Sequence, residues 1–224
     1  MFVIRFALLS SLFYALNVSM IPLIYTFEAS VFLFLFIRFG TTFCTSILIT
    51  KSFFSFKKIQ HERLGLWILV LSLLFGIQSW LYVEAVKYMS VGLASVVLFT
   101  YPLLTYLIVS IVKNKPLDMT TLLMFFIAIA GIAAISQSDE GFYTISIGII
   151  LALLSALSYS LILIITPRMN SIRNWDIVKF TTLIPALGFL YLFLNETGFY
   201  WPQKEALMLS LISGVFFAIG MMFY

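Results

Sequence analysis

Long apolar runs alternate with short polar connectors along the whole chain, and this pattern predicts helices of membrane-crossing length. About 20 mainly apolar residues are needed to cross the hydrocarbon core. Eight stretches meet that requirement: 3–24, 29–50, 64–83, 90–112, 119–136, 145–166, 177–194 and 205–224. The connectors are too short to hold a domain, so any activity must be built inside the bilayer or at its two faces. The N-terminal run is long and lacks a convincing small-residue cleavage site, which makes it a retained first span and not a signal peptide.

Composition agrees with the pattern. Of the 224 residues, 62% are hydrophobic and 10% are charged, and the mean hydropathy is +1.12. Soluble domains carry about 25% charged residues, so this chain cannot cover a water-facing surface. A soluble enzyme is excluded, and an all-α polytopic membrane protein is expected. Cys44 is the only cysteine and His61 the only histidine. This excludes an internal disulfide and leaves no Cys- or His-based metal site, so neither cofactor nor metal is expected. Intramembrane proteases and metal hydrolases need His, paired Asp or several carboxylates within helices. None of these occurs, so an enzyme is not expected.

The net charge of +4 is that of a nucleic-acid binder only in total. The basic residues sit in alternate connectors: Lys51, Lys57, Lys58 and Arg63, then Lys113 and Lys115, then Arg168, Arg173 and Lys179, with Arg5 at the N-terminus. The opposite connectors hold Lys87 and Lys204 beside Glu28, Glu84, Asp139, Glu140, Glu196 and Glu205. The positive-inside rule places the N-terminus in the cytoplasm. The expected partners are therefore a lipid bilayer and a small molecule, not nucleic acid, with homo-oligomerisation left open. Tyr200 and Trp201 read as interfacial anchors.

Residues 7–22, ALLSSLFYALNVSMIP, align without a gap with 152–167, ALLSALSYSLILIITP. Small residues, a Ser-x3-Tyr pair and a terminal proline all fall in register: Ser10, Tyr14 and Pro22 against Ser155, Tyr159 and Pro167. A weaker echo pairs 74–82 with 216–224. Together they define a repeat of about five helices. Five is odd, so the second copy must run in the opposite sense, as in the inverted repeats of secondary transporters. The expected division is 1–140 for the first unit and 141–224 for the second. The second unit stops after its third helix, so the chain is expected to be part of a ten-helix protein.

Arg38 is the one basic residue read as lying well inside a span, about 15 Å from the helix end. A charge at that depth faces a polar interior. It can bind a carboxylate, or it can serve the fold by bonding carbonyls or snorkelling. Helical spacing places Ser10, Tyr14 and Asn17 on one face of the first span and Ser155 and Tyr159 on one face of the sixth. The third span presents Gln78 and Tyr82 with Trp80 between them, and the fourth presents Thr100, Tyr101 and Thr105. Such groups join helices or line a hydrated cavity. The candidate substrate cavity is Arg38, Tyr14, Asn17, Gln78, Trp80, Tyr82, Tyr101 and Tyr159. No span carries a central carboxylate, so a glutamate-based proton antiporter is not expected.

Several segments resemble the EamA-type family of the drug/metabolite transporter superfamily. They are Ile37-Arg38-Phe39 in the second helix, and Tyr82-Val83-Glu84-Ala85-Val86-Lys87-Tyr88 followed by Gly92-Leu93-Ala94-Ser95. Thr100-Tyr101-Pro102 in the fourth helix and Ala130-Gly131-Ile132 in the fifth complete the set. The resemblance begins at residue 1 and is read through 224. It departs at Lys113-Asn114-Lys115-Pro116-Leu117, where the family usually has Gly-Glu-Arg. It implies a ten-helix carrier for export or uptake of small metabolites in the cytoplasmic membrane. The competing reading is a truncated membrane protein that does not transport, or an assembly partner.

Overall fold

The structure, a computed structural model, describes residues 2–51, 62–114, 118–135, 142–169, 174–196 and 202–222. Among these residues all regular structure is helical. The helices are α1 (Phe2–Ser19), α2 (Ile21–Thr26), α3 (Val31–Thr50), α4 (Glu62–Tyr88), α5 (Val91–Leu98) and α6 (Tyr101–Val112). They continue as α7 (Met119–Ile135), α8 (Phe142–Ile165), α9 (Asn174–Leu194) and α10 (Lys204–Met222), with a short 3₁₀ turn at Thr166–Met169.

Among the described residues, seven helical stretches are long and apolar enough to cross a membrane. The eighth expected span, 119–136, is α7. It has 17 residues, the lower end of the spanning range of roughly 17–25.

Two expected spans are broken. The first divides into α1 and α2, with Pro22 in the opening turn of α2. The fourth divides into α5 and α6, with Pro102 in the opening turn of α6. Proline has no N–H and its ring crowds the preceding turn, so it is best accommodated where a helix begins, although Pro185 is held inside α9. At both breaks the chain tightens into three-residue bonds, Met20 N–H to the Asn17 carbonyl (3.4 Å) and Thr100 N–H to the Val97 carbonyl (3.1 Å). Pro167 likewise falls in the 3₁₀ turn that follows α8.

Lys179 corrects the charge map. It is not in a connector but in the second turn of α9. Its side chain is 1% exposed and lies 3.4 Å from Asp176 Oδ1. It therefore leaves the set of loop charges that orients the chain, and Arg38 is not the one buried cation. The connector residues Lys57, Lys58, His61, Lys115, Asp139, Glu140, Arg173, Tyr200 and Trp201 lie outside the described residues.

The helices form two compact units. The first comprises residues 1–76 and 169–224, the second 77–168. In the first, α3 packs on both α9 and α10, and α1 packs on α10. In the second, α8 packs on α5 and α6. Each unit thus combines helices from both halves of the chain, and α4 contributes to both.

Close helix approach in the first unit depends on small residues. A Cβ added at Gly214 of α10 would lie 2.7 Å from Thr41 Cβ and 2.9 Å from the Arg38 carbonyl oxygen. The Thr42 hydroxyl donates to the Gly214 carbonyl at 3.1 Å across the same seam. On the neighbouring seam, a Cβ at Gly76 of α4 would meet Pro185 Cβ of α9 at 3.2 Å. Lipid tails are as apolar as leucine side chains, so such close contacts and interhelical hydrogen bonds supply much of the association energy.

Candidate functional site

The first unit gathers three of the sequence-derived candidates around α10. The Arg38 guanidinium carbon lies 4.2 Å from the centre of the Phe217 ring. Arg38 is 6% exposed, and a ring face attracts a cation more strongly when water is excluded. Phe217 also takes the Tyr14 ring edge-on, with centroids 5.7 Å apart. One turn earlier on α10, the Ser213 hydroxyl donates to Asn17 Oδ1 at 2.6 Å. Asn17 is 1% exposed, and its Nδ2 is buried without a hydrogen-bond partner. A buried donor left open is unusual and needs an explanation. A guanidinium and an open amide donor therefore both lie against the Ser213–Phe217 turn of α10.

The second unit holds the other five candidates. Ser155 of α8 donates to the Gln78 carbonyl at 2.9 Å, and the Gln78 amide returns to the Ser155 hydroxyl at 3.3 Å. Tyr101 and Tyr159 meet edge-to-face with centroids 4.6 Å apart. Ser160, one residue beyond Tyr159, donates to the Tyr101 carbonyl at 2.9 Å. Tyr82 is drawn to α5, where its hydroxyl and that of Ser95 are 2.8 Å apart. Trp80 Nε1 is buried without a hydrogen-bond partner. Among the described residues there is no cluster of three His, Cys, Asp or Glu that could hold a metal ion.

The internal alignment pairs Ser10 with Ser155 and residue 220 with residue 78. The structure gives the matched serines matching bonds. The Ser10 hydroxyl donates to the Gly220 carbonyl at 2.8 Å, as Ser155 does to that of Gln78. The pairs differ at one side chain. Residue 220 is glycine, and Tyr14 lies against it at 3.3 Å from where a Cβ would be. At the matched position stands Gln78, whose amide reaches Ser155, and Tyr159 packs on Tyr101.

Ser213, Phe217, Thr42 and the Asp176–Lys179 pair were not singled out by sequence. Ser213-Gly214 within an apolar helix is a small-residue signal that could have marked the seam. The buried state of Lys179 had no sequence signal, because it lies three residues from an aspartate at the edge of an apolar run.

A helical chain with apolar spans, polar groups turned inward and a buried guanidinium is a polytopic membrane protein. A model of the EamA-like transporter family matches residues 1–137, and the chain belongs to that family, part of the drug/metabolite transporter superfamily. The match contains Arg38 and the motif segments of the third to fifth helices, and it does not extend over 138–224. No curated protein matches the chain.

Proposed function

We propose that this membrane protein is a secondary transporter that moves small metabolites across the cytoplasmic membrane by alternating access, with its N-terminus inside. Zwitterionic or anionic solutes, amino acids among them, are its favoured substrates. The observation that carries this reading is Arg38, a buried cation against Phe217 in the family-matched part of the chain. A cation in low dielectric repels a second cation. A carboxylate can pair with the guanidinium through two parallel hydrogen bonds. The open Asn17 amide would add a neutral donor. Tyr14 and Phe217 would pack the apolar remainder of the solute.

Alternating access is supported by the repeat. A five-helix unit followed by an inverted second copy, of which this chain holds the first three helices on this reading, would offer two arrangements of similar energy, one open to each side. The repeat boundaries at 1–140 and 141–224 follow from the aligned segments. The matching Ser10 and Ser155 bonds are consistent with them.

The test is Arg38→Gln in proteoliposomes, with counterflow of labelled amino acids as the readout. The substitution is expected to abolish saturable transport while insertion and melting temperature are kept. Normal transport with a lowered melting temperature would assign Arg38 to the fold. Saturable transport of a quaternary ammonium compound, unaffected by Arg38→Gln, would contradict the substrate class.

A further inference from the structure

Asn17 is almost fully buried, and its Nδ2 has no hydrogen-bond partner. A buried donor left open is costly, above all in a membrane, where no water is at hand. The other arm of the same amide is held. Its Oδ1 accepts from the Ser213 hydroxyl at 2.6 Å, close to the length of an O–H···O bond, about 2.7–2.8 Å. With the amide turned over, Nδ2 would have to donate across that gap, which is short for an N–H···O bond of about 2.9–3.0 Å. Ser213 therefore sets which end of the amide stays open, and it leaves the donor.

The fold does not require this polar pair. The alignment of 7–22 with 152–167 matches Asn17 with Ile162. The alignment of 74–82 with 216–224, continued back by three residues, matches Ser213 with Leu71. Both matched residues are buried and aliphatic. Hydrocarbon thus fills the positions where Asn17 and Ser213 hold an amide and a hydroxyl, so adhesion between helices does not by itself account for the pair.

The pair also lies where the first span is discontinuous. The Asn17 carbonyl takes the Met20 N–H at 3.4 Å in the turn between α1 and α2. Irregular backbone at membrane depth is tolerated where it is buried in protein or lines a cavity, and secondary transporters bind solutes against such breaks. Ser213 is one turn from Phe217, whose ring lies against the Arg38 guanidinium. A donor beside a helix break, on the same turn of α10 as a buried cation, calls for an acceptor oxygen from outside the chain.

We propose that Asn17 is a specificity-determining residue whose Nδ2 binds a carbonyl or carboxylate oxygen of the solute, and that Ser213 is the positioning residue that keeps this donor open. The proposal rests on the reading that carboxylate-bearing solutes are the substrates. It adds a neutral contact that favours acceptor oxygens over groups offering only N–H donors, and it gives Ser213 a role through Asn17.

Counterflow of labelled amino acids in proteoliposomes, with melting temperatures of the same purified variants, tests it. Asn17→Leu removes the open donor, and Ser213 can return its hydroxyl to a carbonyl of its own helix. This variant is expected to melt at or above the temperature of the unaltered chain. Its half-saturation concentration is expected to rise about tenfold, the measure of one hydrogen bond to a ligand, with the maximal rate kept. Ser213→Ala, which lets the amide turn, is expected to raise the half-saturation concentration in the same direction, and Ser213→Thr, which keeps the hydroxyl, to leave it unchanged. The two Ser213 variants decide the matter if Asn17→Leu is not recovered folded. An unchanged half-saturation concentration in folded Asn17→Leu would overturn the proposal, and is the result expected if a buried water fills the place. Equal affinity of Ser213→Ala and Ser213→Thr would overturn the positioning role. Either result with transport still abolished by Arg38→Gln would remove the Asn17 contact alone, whereas absence of saturable counterflow in the unaltered chain would remove the transport reading and this contact together.

Discussion

Gly214→Ala is the substitution for which competing effects can be weighed most directly. The new methyl group would lie 2.7 Å from Thr41 Cβ and 2.9 Å from the Arg38 carbonyl oxygen. Carbon atoms are at their optimum near 3.5–4.0 Å, so α3 and α10 must separate by about 1 Å at this level. Both obstacles are fixed to α3, one of them backbone, and neither can swing aside. Overpacking of this kind costs about 1–3 kcal/mol. The separation also stretches the Thr42-to-Gly214 hydrogen bond, now 3.1 Å, beyond bonding range. Interhelical bonds in membranes average about 0.6 kcal/mol and reach about 1.7. Against this, alanine is favoured over glycine in a helix by about 1 kcal/mol. The net expectation is a loss of roughly 1–3 kcal/mol. Gly40→Ala on α3 is the control, since nothing lies within 4 Å of a Cβ there and only the helix preference acts. Reversible unfolding in mixed detergent, measured for both variants, decides the matter. If Gly214→Ala proves as stable as Gly40→Ala, the close approach of α3 and α10 at Arg38 is wrong, and the site built on it falls too.

Two further outcomes follow from the same structure. Ser10→Ala removes one interhelical bond and Ser155→Ala two, since Ser155 also accepts from the Gln78 amide; at about 0.6 kcal/mol per bond the second is expected to cost about twice the first, and an unfolding free energy lowered more by Ser10→Ala would show that the matched bonds are wrongly read. With Cys44 replaced, a cysteine at Lys57 is expected to react with an impermeant thiol reagent only after the membrane is opened; labelling of intact cells from outside would reverse the orientation drawn from the basic connectors.

The sequence by itself determined the class of protein and the course of the spans. Hydrophobicity of this length and density has one physical solvent, and backbone groups in lipid must be satisfied by helices or closed barrels. Residue-level motifs were enough to place the chain near its family, and register alone matched Ser10 with Ser155. What only the tertiary structure decided was which polar groups meet. Asn17 meets Ser213, Arg38 meets Phe217, and Gln78 meets Ser155, each across a long stretch of chain. Helical spacing fixes the face a residue occupies, not the helix that face will meet. The breaks at Pro22 and Pro102 were visible as prolines, but hydropathy averages over them and reads each pair of short helices as one span. Lys179 shows the limit most plainly. A lysine in the first turn of an expected span is ordinarily counted with the loop before it, and α9, which begins at Asn174 and supplies Asp176 one turn earlier, holds it as a buried cation.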